Sequence, residues 1–280
     1  MQEQQEQEPY IPSKRRKIAR WITTIILIYG FIGFTLYYFQ QRFLFHPEPL
    51  PADYVYKFDV PFKEVSIALN SRDTLSMVQF LPGDSSLKKG IVIYFHGNMD
   101  NINYYAKYAK TFTDKGYEVW MPDYPGFGKS TGLITEKLID NEATEAYKLA
   151  HSRFGADSII VYGKSLGTGP ASYIASTQKC KRLILETPYY SIPSLFGSYA
   201  PIYPTDWMSR FKFPNGEYLK KVQEPITIFH GTSDRVVFYS NALKLKKVLK
   251  PGDEFVTIED GGHNNLADFP QFKEILNSLL

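Results

Sequence analysis

Ser165 is the residue with the clearest chemical promise. It stands in the pentapeptide Gly163-Lys164-Ser165-Leu166-Gly167, directly after the apolar run Ser158-Ile159-Ile160-Val161-Tyr162 and directly before Thr168-Gly169-Pro170-Ala171-Ser172. A serine between glycines at a strand-to-helix turn is a nucleophile elbow, because the turn is too sharp for side chains at the flanking positions. A phosphate-binding loop is excluded: the glycine it needs five residues before Gly163 is replaced by Ser158.

A serine nucleophile needs a base and an acid to orient that base. Pro225 to Gly231 reads as a buried strand, and Asp234 lies in the loop after it. Asp253 to Glu259 reads as a further strand, followed by Asp260-Gly261-Gly262-His263. His263 sits in a polar loop with no apolar periodicity, which points to the base, whereas His96 and His230 end apolar strands and read as structural. Asp234 is the expected acid; Glu186, which closes the strand Lys181 to Leu185, is its rival. For the oxyanion, the loop His96-Gly97-Asn98-Met99 offers the backbone N–H of Asn98, with that of Met99 as the second choice. The N–H of Leu166, at the opening of a helix, is the other donor.

The elements that must position these residues alternate along the chain. Strands are expected at 62–69, 74–81, 90–95, 117–121, 158–162, 181–185, 226–229 and 254–258. A helix is expected over 135–154, with Leu138, Ile139, Ala143, Ala146, Tyr147 and Ala150 on one stripe. The first two strands are joined by a short turn and the later ones by helices. The sheet should therefore be mostly parallel, eight-stranded and covered on both faces. The alternation stops between Thr187 and Val222, where Tyr189, Tyr190, Phe196, Tyr199, Tyr203, Trp207, Phe211 and Phe213 are interleaved with five prolines. That composition forbids a long helix but must pack on something. The reading is a small cap (187–222) whose aromatics line an acyl pocket.

Residues 21–39 are nineteen positions without a charge, long enough at ~1.5 Å per residue to cross a ~30 Å hydrocarbon layer. Trp21 stands at one end and Tyr37, Tyr38 and Phe39 at the other. Lys14, Arg15, Arg16, Lys17 and Arg20 precede the segment, so an uncleaved signal anchor with a cytoplasmic amino terminus (1–20) is expected. Residues 40–60 then read as a linker and 61–280 as an extracytoplasmic domain. The first eight residues, rich in Gln and Glu, look disordered.

Charge, cysteine and motif content exclude several classes. The first twenty residues hold five basic and three acidic groups, so the net charge of +3 leaves only +1 beyond them, and no nucleic-acid partner is implied. Cys180 is alone and can form no internal disulfide. No glycosylation sequon occurs, which suits a bacterial periplasmic side better than a secretory lumen. No cofactor motif or metal-ligand cluster is apparent, and the sequence gives no oligomeric state.

Five stretches, 41–47, His96-Gly97-Asn98, Asp123 to Ser130, Gly163 to Ala171 and His230 to Asp234, together resemble a membrane-anchored subgroup of the α/β-hydrolase superfamily. Its better-known eukaryotic relatives include lysophospholipid lipases and protein depalmitoylases. The order Ser165, Asp234, His263 is the order of that fold. The resemblance implies a serine hydrolase of carboxylic esters or thioesters acting on acyl, lipid-like substrates. Amide cleavage, as in serine aminopeptidases of the same fold, and a non-catalytic binding module on the hydrolase fold are the alternatives.

Overall fold

The computed structural model describes residues 14–83 and 88–280. The first eight residues, expected to be disordered, lie outside the described part. The chain divides into two compact units, 1–41 and 42–280.

The first unit holds most of a single helix, Lys14–Leu44. It is long and apolar enough to cross a membrane, and none of its most apolar stretch is buried. The helix is longer than the expected span of 21–39, and it takes in the first residues of the expected linker. The remainder of that linker is not a free tether either. Phe45 and Tyr56 are both buried in the second unit, because taking their apolar side chains out of water lowers the free energy.

The second unit is built on eight strands: β1 Phe62–Ala68, β2 Thr74–Phe80, β3 Gly90–Phe95, β4 Tyr117–Pro122, β5 Ile159–Lys164, β6 Arg182–Glu186, β7 Ile226–Gly231 and β8 Glu254–Ile258. Their order across the sheet is β8-β7-β6-β5-β3-β4-β2-β1. β2 runs antiparallel to both its neighbours, and every other pairing is parallel. The eight expected strands are all present, with ends displaced by a residue or two.

Period-two alternation divides the strand side chains between two apolar layers. In β5, Ile159 and Val161 join one layer and Ile160 and Tyr162 the other. The first layer is covered by helices Glu136–His151 and Thr168–Thr177 and by the cap. The second is covered by the short helical turns of 102–113 and the closing helix Pro270–Leu279. All parallel strands end at one edge, where loops from several strands can converge on a single point.

Helix Glu136–His151 begins where Thr135 caps it, its hydroxyl accepting the Leu138 N–H at 3.1 Å. The expected stripe is buried except for Leu138, which is partly exposed; Glu142 is buried in its company instead. Neither Glu142 carboxyl oxygen has a hydrogen-bond partner. Burial, with the nearby carboxylates of Asp73 and Asp123, pushes its pKa up to about 9. The folded protein keeps the proton that the unfolded chain sheds above its ordinary carboxylate value, so stability falls as pH rises through that window. In urea unfolding between pH 5 and pH 8, the wild type should lose up to about 1.4 kcal/mol per pH unit more than Glu142→Gln; equal slopes would place Glu142 in water.

Candidate active site

Ser165 directly follows β5 with a φ of 51°, a left-handed conformation that costs a non-glycine residue about 1–3 kcal/mol. The two flanking glycines make it attainable. A Cβ at Gly163 would lie 2.7 Å from the Ala171 Cβ and the Thr168 Cα, and one at Gly167 would lie 2.6 Å from the His96 carbonyl oxygen. The turn leads through a short 3-10 segment, Ser165–Gly167, into helix Thr168–Thr177. The Thr168 hydroxyl donates to the Ser165 carbonyl at 2.6 Å and fixes the first turn.

Asp234 and His263 come from the loops after β7 and β8, and backbone contacts bind these loops together. A Cβ at Gly231 would run into the Gly261 backbone, 2.8 Å from its Cα. Ser233 N–H donates to the Gly261 carbonyl at 2.9 Å, and Thr232 N–H to that of Ile258 at 3.0 Å. Asn265 Oδ1 accepts the Gly262 N–H at 2.7 Å and shapes the turn that presents His263.

The outcome is a continuous chain of hydrogen bonds. His263 Nε2 lies 2.8 Å from Ser165 Oγ, and His263 Nδ1 lies 2.7 Å from Asp234 Oδ2. The other oxygen of Asp234 accepts the N–H groups of Val236 and Val237, both at 2.8 Å. Burial alone would raise the pKa of Asp234. The hydrogen bond and charge of His263, the charge of His230 and the Val237 N–H outweigh it and hold the carboxyl below its ordinary value. His230 is itself fully buried, 3.4 Å from Asp234 Oδ2, and its Nε2 donates to the Val237 carbonyl at 2.8 Å. Burial lowers its pKa despite the neighbouring Asp234, and its bond to Val237 braces the loop of Asp234. Ser165 and His263 keep a little exposure, 9% for the serine and 10% for the imidazole side chain.

Glu186, the rival acid, is engaged elsewhere. Alternation places Lys164 on the same face as Tyr162, and Glu186 lies opposite it in register. Glu186 forms a buried ion pair with Lys164 and accepts the Tyr162 hydroxyl. The structure brings only Asp234 to His263.

The loop after β3 flanks the elbow, since both the Phe95 and His96 carbonyls border Gly167. In that loop the Asn98 carbonyl accepts the His46 N–H at 2.8 Å. The loop is braced from below by a group the sequence did not single out as part of the site, the buried carboxylate of Asp123. Its Oδ1 lies 3.2 Å from His96 Nε2 and accepts the Ile102 N–H at 3.1 Å. Burial pushes the Asp123 carboxyl up, against the pull of His96 and the Ile102 N–H. Tyr124 completes the brace by donating to the His96 carbonyl at 2.6 Å. In the sequence Asp123 was marked by its place at the end of a strand and at the start of the stretch Asp123 to Ser130.

The cap departs from expectation. Tyr189, Phe211 and Phe213 are buried against the elbow helix, where Tyr189 donates to the Leu166 carbonyl at 3.2 Å. Tyr199 and Trp207 point outward instead, 55% and 83% exposed. Short helices separated by prolines have room to bury only part of so many rings.

Among the described residues no group of three or more His, Cys, Asp or Glu is arranged to hold a metal ion. Cys180 is buried, its thiol pushed up to about 12 by burial and by Glu224, which leaves it without nucleophilic character at neutral pH.

Residues 90–221 match the family described as alpha/beta hydrolase fold. An alpha/beta hydrolase domain-containing protein 17C from Xenopus tropicalis is 29% identical over 193 residues, 68% of this chain and 61% of that protein. Its human counterpart is 27% identical, over 68% of this chain and 57% of its own length. The chain thus spans about three-fifths of the length of these relatives. Among solved structures, an esterase from Pyrococcus furiosus superposes with a TM-score of 0.65 at 19% identity, over 85% of this chain and 97% of the esterase. A thioesterase domain from the curacin biosynthetic pathway gives 0.56 at 17% identity, over 78% and 98%. The sheet order, the elbow after β5 and these likenesses agree: the chain has the α/β-hydrolase fold and over those 193 residues is similar to alpha/beta hydrolase domain-containing 17 proteins.

Proposed function

We propose that this protein is a membrane-anchored serine hydrolase that cleaves carboxylic esters or thioesters of apolar acyl groups. The observation that carries the proposal is the hydrogen-bonded series Ser165–His263–Asp234, with 2.8 and 2.7 Å separations. Ser165 Oγ attacks the carbonyl carbon while His263 Nε2 takes its proton. Asp234 holds the imidazole in its tautomer and stabilises the imidazolium. The oxyanion is received by the N–H groups of Asn98 and Leu166, each worth about 3 kcal/mol of barrier. His263 then protonates the leaving alcohol or thiol, and water, activated by the same imidazole, resolves the acyl-enzyme.

The triad is tested by comparing two carboxamides. Asp234→Asn should lower kcat by roughly 10⁴ without unfolding the protein, and Ser165→Ala should abolish both turnover and labelling by a fluorophosphonate. Glu186→Gln should act on stability instead, costing about 3–5 kcal/mol because Lys164 is left buried without its counter-ion, while the folded fraction keeps its kcat. A larger kcat loss at Glu186 than at Asp234 would reassign the acid.

Ester preference follows from the cap's chemistry. Between Thr187 and Lys221 only Asp206 and Glu217 are acidic, and Glu217 is exposed and paired with Lys220 at 2.8 Å. Nothing there suits a free α-ammonium group, whereas each acyl methylene buried against aromatic surface adds about 0.8 kcal/mol. The kcat/KM for p-nitrophenyl esters should therefore rise from acetate to medium chains and exceed that for aminoacyl p-nitroanilides. Faster anilide cleavage would favour an aminopeptidase, and no cleavage of either a binding module.

Anchoring is proposed from helix Lys14–Leu44, whose basic residues cluster at its start. A reporter fused after Leu280 should lie outside the cytoplasm, and the mature chain should retain Lys14 to Arg20; a cytoplasmic reporter would reverse the orientation.

A further inference from the structure

The cap places large apolar side chains in water. Helices Ile192–Tyr199 and Thr205–Met208 form a hairpin whose turn exposes Tyr199 by 55%, Ile202 by 70% and Trp207 by 83%. Scattered exposed apolar residues are ordinary, but a Tyr, an Ile and a Trp within nine residues of one hairpin form a patch that a purely soluble surface would not keep. Val236, 48% exposed, extends it, since the Tyr199 hydroxyl donates to the Arg235 and Val236 carbonyls at 3.0 and 2.6 Å. Arg210 and Lys212 are exposed just beyond the patch, with Asp206 the one acidic side chain from 199 to 212. Aromatic rings backed by basic residues suit the interfacial zone of a bilayer with anionic headgroups.

A second observation indicates which surface lies nearby. Phe45, the first residue after the long apolar helix, packs on Phe211 of the cap with ring centroids 4.9 Å apart. Phe45 also meets Phe127 of the loop after β4, with centroids 6.4 Å apart, so the chain enters the domain beside the cap. We propose that the 199–207 hairpin turn is a lipid-contact surface, by which the cap lies in the interface of the bilayer that holds the apolar helix. This rests on the anchoring reading above. It places the hairpin's lipid-facing turn next to the loop of Asp234, so that an acyl chain leaving the bilayer meets the hydrolase site without crossing bulk water.

The test uses the full chain in vesicles of phosphatidylcholine and phosphatidylglycerol. Trp21→Phe leaves only Trp120, fully buried, and Trp207 as tryptophans. Brominated acyl chains should quench the emission of this variant, and the quenching should vanish in Trp21→Phe/Trp207→Phe. Quenching of Trp207 by aqueous acrylamide alone would overturn the proposal, and shielding from both quenchers would mean that a second copy or another protein covers the patch. In parallel, Ile202→Glu/Trp207→Glu should lower turnover of a bilayer-embedded acyl ester by roughly tenfold and leave p-nitrophenyl acetate hydrolysis unchanged. Equal losses on both substrates would also overturn it. A wild type inactive on both would refute the hydrolase reading, and the quenching would then decide the lipid surface by itself.

Discussion

The strained backbone at Ser165 is the constraint around which the rest of the domain is arranged. A serine at positive φ is unfavourable by itself, and it persists because the surrounding atoms leave no alternative. Gly163 and Gly167 admit no side chain, the Phe95 and His96 carbonyls close one side, and helix Thr168–Thr177 follows at once. The hydroxyl is thereby lifted clear of the sheet edge, to the one place where loops from β7 and β8 can reach it. The register of those strands, and the glycine backbones that let their loops touch, then set the 2.7 Å between Asp234 and His263.

Around this point the fold buries charged and polar groups that would be costly without partners. Each acts as a clamp between elements. Asp123 joins the end of β4 to the loop after β3 and to the Ile102 N–H. Lys164 and Glu186 join β5 to β6 just beside the elbow. His230 holds Val237, and with it the loop of Asp234. Such pairs add little net stability compared with apolar side chains of the same size, but removing one partner strands the other. They fix the relative positions of loops rather than add to the core's depth.

The cap is secured by the same logic. Asn215 donates to the Thr168 hydroxyl at 3.0 Å and to the Tyr189 carbonyl at 2.9 Å. Glu136 accepts the Lys212 and Phe213 N–H groups, the latter at 2.9 Å. The base of the cap is thus tied to the elbow helix and to helix Glu136–His151, while its hairpin turn is held by Tyr199 near the loop of Asp234. Prolines prevent the segment from forming one long helix that would hide all its rings, and the surplus apolar surface is directed outward.

Short-range physics made much of this legible from the sequence. The glycines around Ser165, the polar loops that end in Asp234 and His263, and the strand periodicity depend on local sterics and on a two-residue repeat, and both can be read along the chain. The apolar stretch of 21–39 is likewise a local property. What the sequence left open depended on groups far apart in the chain. Glu186 ends one buried strand and Asp234 follows another, and only the tertiary arrangement gives one to Lys164 and the other to His263. Glu142 occupies a core-facing position that its charge argued against, Asp123 opened one of the stretches that carried the resemblance but had no role assigned to it, and Phe45 lay in the expected linker. A carboxylate's role is set by which partner desolvates and pairs it, and a ring's by which surface is left to cover it; both are decided by contacts between distant parts of the chain.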